Sequence, residues 1–347
     1  MRAGNSSLTP ASRSSRTIER SQAAIVFTVA ACHDKSAGGS RASVASPSPS
    51  TAPAALHKVT LALDWVPEPE FGGFYAGRES GAYKSRGIEL EIQGGGAGAP
   101  VVQQVALGRV DFGTVGADGL LTARAHGADV VAVFATFQTS PQGIMVHASR
   151  KLAKLEDAFR SGTLALETGL AYAAFLKNKF SWNGVKIVPY DGGVAHFLAD
   201  PSFGQQCYVT SEPIAAKKQG ADPQVFLIAD SGFNPYATVV ITRRELLDKN
   251  PELVKSFVAA TREGWKSYLA DPKPTSELLH RLNPSLAADT LAAAAEAEKP
   301  LILAGDAEQL GVGAMTRARW EALASTLLSL KLLDKPLDVN ALYWQAP

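Results

Sequence analysis

Residues 58–92, KVTLALDWVPEPEFGGFYAGRESGAYKSRGIELEI, decide how this chain is built. Val59, Leu61 and Leu63 alternate with Lys58, Thr60 and Ala62, which is the period of a strand. The strand ends at Asp64-Trp65, because Pro67 and Pro69 have no N–H with which to continue a ladder. An acid and a large aromatic are thus delivered at the carboxyl end of a strand. Glu68, Glu70 and a Gly72-Gly73 pair follow, and the glycines let backbone come close to whatever sits beside them. In open α/β sheets, ligands bind at the carboxyl ends of the strands.

Outward from this stretch, short β-like runs alternate with helical ones, the pattern of parallel sheets with crossover helices. Strands are expected near 58–64, 88–93, 111–113 and 130–136, with helices near 73–84, 100–107 and 117–126. A second, smaller set has strands near 163–166, 185–189, 206–209 and 225–229 and helices near 170–180 and 211–219. Two extended apolar runs, 143–147 and 237–242, read as crossover strands between the sets. This places lobe 1 at 57–142 plus 240–347 and an inserted lobe 2 at 143–239. After Arg243 helical periodicity dominates, with Leu253, Phe257, Trp265 and Leu269 following Pro251 and another helix over 287–297. These helices are expected to pack on lobe 1. Two α/β lobes joined by two crossover strands, with an interlobe cleft for ligand, make the periplasmic-binding-protein type II architecture. Hinge closure is its expected motion.

Four segments carry a resemblance: D-W-x-P from Asp64, F-G-G-F-Y-A from Phe71, G-A-Y-K-S-R-G-I-E-L-E-I from Gly81 and G-R-V-D-F-G-T-V-G-A-D from Gly108. They resemble the substrate-binding proteins of the NMT1/THI5-like group, which serve importers of thiamine-precursor pyrimidines, riboflavin, alkanesulfonates and nitrate. The resemblance covers about residues 58–273 and is specific for fold and role rather than for ligand. It implies the type II fold, a small-molecule ligand, and the permease and ATPase subunits of an ABC transporter as partners.

Trp65 either stacks on a planar heterocycle or packs as core. Asp64 matches an acidic position of the pyrimidine-binding members and equally suits a helix cap. Tyr75, on the next helix, is a further candidate. Glu68 and Glu70 form either a paired-carboxylate site or a solvated turn. The glycine-rich run 94–100, with Gly96 inside it, links a strand to a helix, so its amides suit an anion or a carbonyl. It lacks the last glycine of G-x-G-x-x-G, and no G-K-S or G-K-T forms a P-loop. Gly116 and Asp118 take the corresponding place after the strand around Phe112, where Asp118 contacts ligand or caps a helix. Gln138 and Gln142 flank the turn at Pro141 on the approach to the first crossover.

In lobe 2, Glu167 precedes a helix carrying Tyr172, and Tyr190-Asp191 ends the next strand; both resemble family positions that contact ligand. Ser211-Glu212-Pro213 stands where related proteins place N-E-P or S-E-P, with the glutamate reaching ligand across the cleft. The alternative is a first-turn glutamate satisfying amides. Tyr236 lies on the hinge side of the pocket or on a surface turn after Asn234-Pro235.

The chain has 347 residues, 46% hydrophobic and 19% charged, enough for two medium lobes. Six of its 34 basic and two of its 33 acidic residues precede His57, so the remainder carries 28 against 31 and offers no basic face for nucleic acid. Arg13, Arg16 and Arg20, an apolar run from Ala23 to Ala31, and then Cys32 have the layout of a secretory signal too short to span a bilayer. Val29-Ala30-Ala31-Cys32 resembles a lipobox, which implies lipidation at Cys32; the alternative is a plain signal peptide followed by a chance cysteine. Residues 1–32 are thus read as signal and lipobox. Residues 33–56, rich in Ser, Ala, Pro and Gly, are read as a flexible tether. Beyond Cys32 only Cys207 remains, so the mature chain has no pair for an intramolecular disulfide.

No metal is expected, since the six histidines (33, 57, 126, 147, 196 and 280) show no H-x-x-x-H spacing and no C-x-x-C occurs. No cofactor or catalytic residue is expected either. A G-x-S-x-G elbow is absent, as is the C-C-C-F-C motif of the THI5 pyrimidine synthases in the same superfamily. The expectation is a protein secreted across the cytoplasmic membrane and held at the periplasmic side or cell surface by a lipid anchor. It binds a small planar heterocycle, of the thiamine-precursor pyrimidine or riboflavin type, for an ABC importer. The alternatives are an alkanesulfonate- or nitrate-binding protein, a ligand sensor subunit and, last, a THI5-type synthase.

Overall fold

The computed structural model describes residues 56–346. The signal segment, Cys32 and all but the last residue of the linker lie outside them. The chain begins with β1 (His57–Ala62), α1 (Gly72–Glu79), β2 (Ile88–Gln93), α2 (Val101–Ala106), β3 (Phe112–Val115), α3 (Ala117–Ala125) and β4 (Val130–Phe137). It continues through β5 (Gln142–His147), β6 (Thr163–Leu166), α4 (Ala171–Lys179), β7 (Lys186–Pro189), α5 (Ala195–Ala199), β8 (Phe203–Tyr208), α6 (Glu212–Lys218) and β9 (Pro223–Leu227). The return is β10 (Ala237–Arg243), followed by α7 (Arg244–Lys249), α8 (Pro251–Ala270), α9 (Lys273–Leu282), α10 (Ala288–Ile302), α11 (Asp306–Leu310) and α12 (Arg317–Ser329).

Two five-stranded sheets result, in the orders β2-β1-β3-β10-β4 and β7-β6-β8-β5-β9. In each, the strand that arrives from the other lobe, β10 or β5, runs antiparallel to both of its neighbours. The other pairings are parallel. The runs read as crossovers, 143–147 and 237–242, are therefore inner strands of the two sheets, and the links between lobes are residues 138–141 and 228–236. Ala237 and Val239 pair with β4 of the first sheet, so the return to lobe 1 comes a few residues before position 240. β4 closes its sheet yet is buried along its whole length. The C-terminal segment covers it, with the Trp344 N–H donating to the Ala132 carbonyl at 2.8 Å, which protects the edge from foreign strands.

The Gly72-Gly73 pair has a different neighbour from the one its sequence suggests. α1 lies against α8 so closely that a Cβ on Gly73 would sit 2.2 Å from the Trp265 ring, and one on Gly264 would sit 2.2 Å from the Gly73 carbonyl oxygen. The close approach serves helix packing, not ligand. Trp265 meets Phe74 edge-on at 5.8 Å, and both belong to the lobe 1 core. The C-terminal helices do not rest on lobe 1 alone: α10 also meets α6 of lobe 2, where Lys218 pairs with Asp289.

Candidate functional site

A cavity of about 490 Å³ opens between the lobes. Lobe 1 contributes the loop after β1, with Asp64, Trp65, Glu68 and Glu70, and the rim Ala97–Ala99. Lobe 2 contributes Gln142 from β5, Glu167 after β6, Tyr190 after β7, and Tyr208 and Glu212 at the end of β8 and the start of α6. Ser285 and Leu286, between α9 and α10, close one side. Most of these groups sit at carboxyl ends of parallel strands, where loops are free to turn side chains into the cleft.

Five of the lining residues are carboxylates, and among the described residues the lining holds no Lys, Arg or His. Asp64 exchanges two hydrogen bonds with Thr114 of β3: its N–H donates to Oγ1 at 2.9 Å, and Oγ1 donates to Oδ1. Burial raises its carboxyl above the usual range against the pull of the Thr114 hydroxyl. Glu68 is pushed up to about 7, first by burial and then by the charge of Glu212, while the Ser211 hydroxyl donates to it. The Ser211 Oγ to Glu68 Oε2 contact, 3.4 Å, joins lobe 2 to lobe 1. Glu212 accepts from the Tyr190 hydroxyl and, at 2.8 Å, from the Tyr208 N–H; burial leads its rise. Glu167 accepts from Gln206 Nε2 at 2.6 Å. Glu70 is only 8% exposed, and its carboxyl rises well above the ordinary value through burial and then through Glu68, Asp64, Glu298 and Glu212.

Of the residues singled out from sequence, Asp64, Trp65, Gln142, Glu167, Tyr190 and Glu212 meet at the cavity, together with Glu68 and Glu70. Trp65 is half-buried, one side against the lobe 1 core and the other on the cavity. The remainder lie outside the lining. Tyr75 is a core residue of lobe 1 at 2% exposure, because the face of α1 that carries it turns inward. Gly96 stands in open space beside the rim, and its neighbour Gly95 is the constrained one, with a Cβ there falling 2.0 Å from the Leu63 carbonyl oxygen. Gly116 caps α3, and Asp118 stands in the first turn of that helix, its carboxyl raised by burial. Tyr172 is buried under β8, its hydroxyl donating to Gln206. Asp191 is exposed, accepts from the Gly193 N–H at 3.2 Å and stands 3.4 Å from His196.

Gln138 and Tyr236 belong to the hinge. Asn234 ties the two links together, its Oδ1 accepting from the Ser140 N–H at 2.8 Å. Arg319 of α12 donates to Gln138 Oε1 at 3.3 Å and to the Asn234 carbonyl at 3.0 Å, and its guanidinium lies 3.9 Å over the Tyr236 ring. The Tyr236 hydroxyl donates to Asp306 at 2.6 Å and accepts from the Thr316 N–H at 2.9 Å. Tyr236→Phe is thus expected to cost about 1 kcal/mol of stability in urea unfolding, with no change in ligand affinity. A loss of affinity at unchanged stability would return Tyr236 to the pocket.

The sequence reading left Glu68 and Glu70 open between site and solvated turn; burial places both in the lining. Gln206, Cys207 and Tyr208 were missed as lining residues, although their place at the end of β8 was a usable signal. Ser285 and Leu286 had none, since they reach the cleft only because α9 and α10 fold over it. Among the described residues no group of three or more His, Cys, Asp or Glu is arranged to hold a metal ion, and no helix is long and apolar enough to cross a membrane.

The model of the family described as "NMT1/THI5 like" matches residues 68–275. The riboflavin-binding protein RibY of Chloroflexus aurantiacus is 26% identical over 312 residues, covering 86% of this chain and 88% of that protein. A 4-amino-5-hydroxymethyl-2-methylpyrimidine phosphate synthase of Legionella pneumophila is 24% identical, covering 66% of this chain and 75% of that one. Among solved structures, the periplasmic aliphatic sulphonate binding protein SsuA of Escherichia coli superposes with a TM-score of 0.65 at 16% identity, over 84% of this chain and 92% of that one. The fold is accordingly that of the type II periplasmic binding proteins.

Proposed function

The chain belongs to the NMT1/THI5-like family, and from that premise we propose that it is the extracytoplasmic solute-binding component of an ABC-type importer, taking a small planar heterocycle into the interlobe cleft. The observation that carries this reading is the cavity itself: about 490 Å³, within the roughly 300–1,000 Å³ of small-molecule sites, and lined from both lobes. A solute held by groups of both lobes favours the closed arrangement by its differential contacts, and the release of closure passes it on. Trp65 supplies a flat apolar wall and the carboxylates supply acceptors for N–H groups. A riboflavin-like or aminopyrimidine-like solute suits this lining. A sulfonate or nitrate does not, because an anion beside five carboxylates lacks the cationic donors it needs. Delivery to a permease and ATPase, and an anchor on Cys32, complete the proposal.

The test is a thermal-shift series of the chain against riboflavin, 4-amino-5-hydroxymethyl-2-methylpyrimidine, an alkanesulfonate and nitrate, since a ligand that binds only the folded state raises Tm. A shift with one of the first two is expected, and a shift with an anion alone would overturn the heterocycle. Trp65→Ala should weaken that ligand by about tenfold or more and change stability by under about 1 kcal/mol. The reverse pattern would make Trp65 a core residue.

A further inference from the structure

We infer that the solute carries a positive charge: a planar organic cation of the amidinium or aromatic ammonium class, with its charged group seated on Glu70. The inference rests on the cleft being the solute site and adds the chemistry of what enters it.

Four of the five lining carboxylates already have donors from the protein itself. Asp64 has Thr114, Glu68 has Ser211, Glu167 has Gln206, and Glu212 has Tyr190 and the Tyr208 N–H. Glu70 has none: it is more than nine-tenths buried, lines the cavity, and accepts no hydrogen bond among the described residues. Behind it on α10, Glu298 is fully buried with neither carboxyl oxygen partnered. The charges that face Glu70 are all acidic, from its own loop (Glu68, Asp64), from α10 (Glu298) and from lobe 2 (Glu212). The Tyr208 hydroxyl from β8 is raised by burial and then by Glu70, Asp64, Asp118 and Glu212.

A carboxylate with no protein donor, largely withdrawn from water and ringed by other acids, is costly, and the cost is removed by a proton or by a cation that also donates hydrogen bonds. A neutral N–H ligand would bond to Glu70 and leave the excess negative charge in place. A bare metal ion fits poorly, because no three acidic groups converge on one point among the described residues. A flat cation matches both halves of the lining, its charge on the Glu70 side and its faces on Trp65, Tyr190 and Leu286.

The test uses three isosteres that differ in charge, benzamidine, benzamide and benzoate, with riboflavin and 4-amino-5-hydroxymethyl-2-methylpyrimidine alongside, each read by thermal shift and titration calorimetry on the full chain. Benzamidine is expected to stabilise where benzamide and benzoate at the same concentration do not. Its affinity should fall at least about fivefold from pH 8 to pH 6, as protons compete for the carboxylates. Glu70→Gln should weaken it by about tenfold or more, while Glu89→Gln, on an exposed strand position far from the cleft, should leave it unchanged. Benzamide or benzoate binding as well as benzamidine, or undiminished binding to Glu70→Gln, would overturn the inference. Riboflavin or the pyrimidine binding while benzamidine is silent would overturn the charge and leave the heterocycle importer standing. Silence from the other four at about 10 mM and from riboflavin at saturation, where even a weak site of this kind fills, would overturn both.

Discussion

Gly264→Val is expected to cost at least about 3 kcal/mol in urea or thermal unfolding, although valine forms helix better than glycine does. The gain in helix propensity is under about 1 kcal/mol. Against it stands a Cβ placed 2.2 Å from the Gly73 carbonyl oxygen and 2.7 Å from the Gly77 backbone, none of which can rotate away. α1 and α8 would have to separate by about an ångström, and Trp265 and Phe74, fully buried between them, would lose contact on both sides. Because α1 follows directly on the loop that carries Glu68 and Glu70, the same displacement should disturb the cleft. A loss below about 1 kcal/mol would mean that the helices are not so closely seated.

Unliganded chain should be more stable near pH 5 than near pH 8, the reverse of a protein whose carboxylates are paired. Glu68 illustrates the sign. Its carboxyl rises from 4.5 to about 7 on folding, so its contribution is complete below 4.5 and is lost as pH climbs through 7. That rise alone corresponds to roughly 2–3 kcal/mol once solvent screening is allowed for. Glu70, Asp64, Glu212 and Glu298 are shifted in the same direction and add to the trend. Melting temperatures at pH 5, 6, 7 and 8 should fall in series, and Glu68→Gln with Glu298→Gln should flatten the series. Stability that rises over this window would mean that the cleft carboxylates are solvated or neutralised by a cation, and the acidic pocket would lose its meaning. Glu298→Met, which replaces an unpartnered buried carboxylate with an apolar chain of similar length, should raise stability at pH 8 by about 1–3 kcal/mol.

The fold was largely legible in the sequence because it is written in local periodicity. The alternation at Val59 and Leu61, the continuous apolar run of β4 and the turn residues between elements report only on the burial of their own faces. The order of elements, and the two chain passages between lobes, follow from those local signals. The ends of helices were less legible: the helix expected over 73–84 stops at Glu79, where the chain turns through Gly81 at φ 78° before Tyr83 enters the core. α5, α7, α9, α11 and α12 were not named individually; α5, α7 and α11 are only five or six residues long, too short for a helical period to stand out.

By itself the sequence determined which residues stand at strand ends, and so Asp64, Trp65, Glu167, Tyr190 and Glu212 were within reach of any reader. It could not tell strand-end residues that face the cleft from those that face a helix or a hinge. Tyr75, Tyr172 and Tyr236 are the same kind of residue in similar local settings, yet each is claimed by a partner far away in the chain: the lobe 1 core, Gln206, and the Asp306–Thr316–Arg319 clamp. Only the tertiary structure decided that Glu70, in a Pro-containing loop that reads equally as site or solvated turn, is buried without a donor among the described residues, near Glu298 some 230 residues later. The physical reason is that burial and hydrogen-bond satisfaction are properties of what packs against a residue, and at this cleft the packing partners come from α10 and from the opposite lobe.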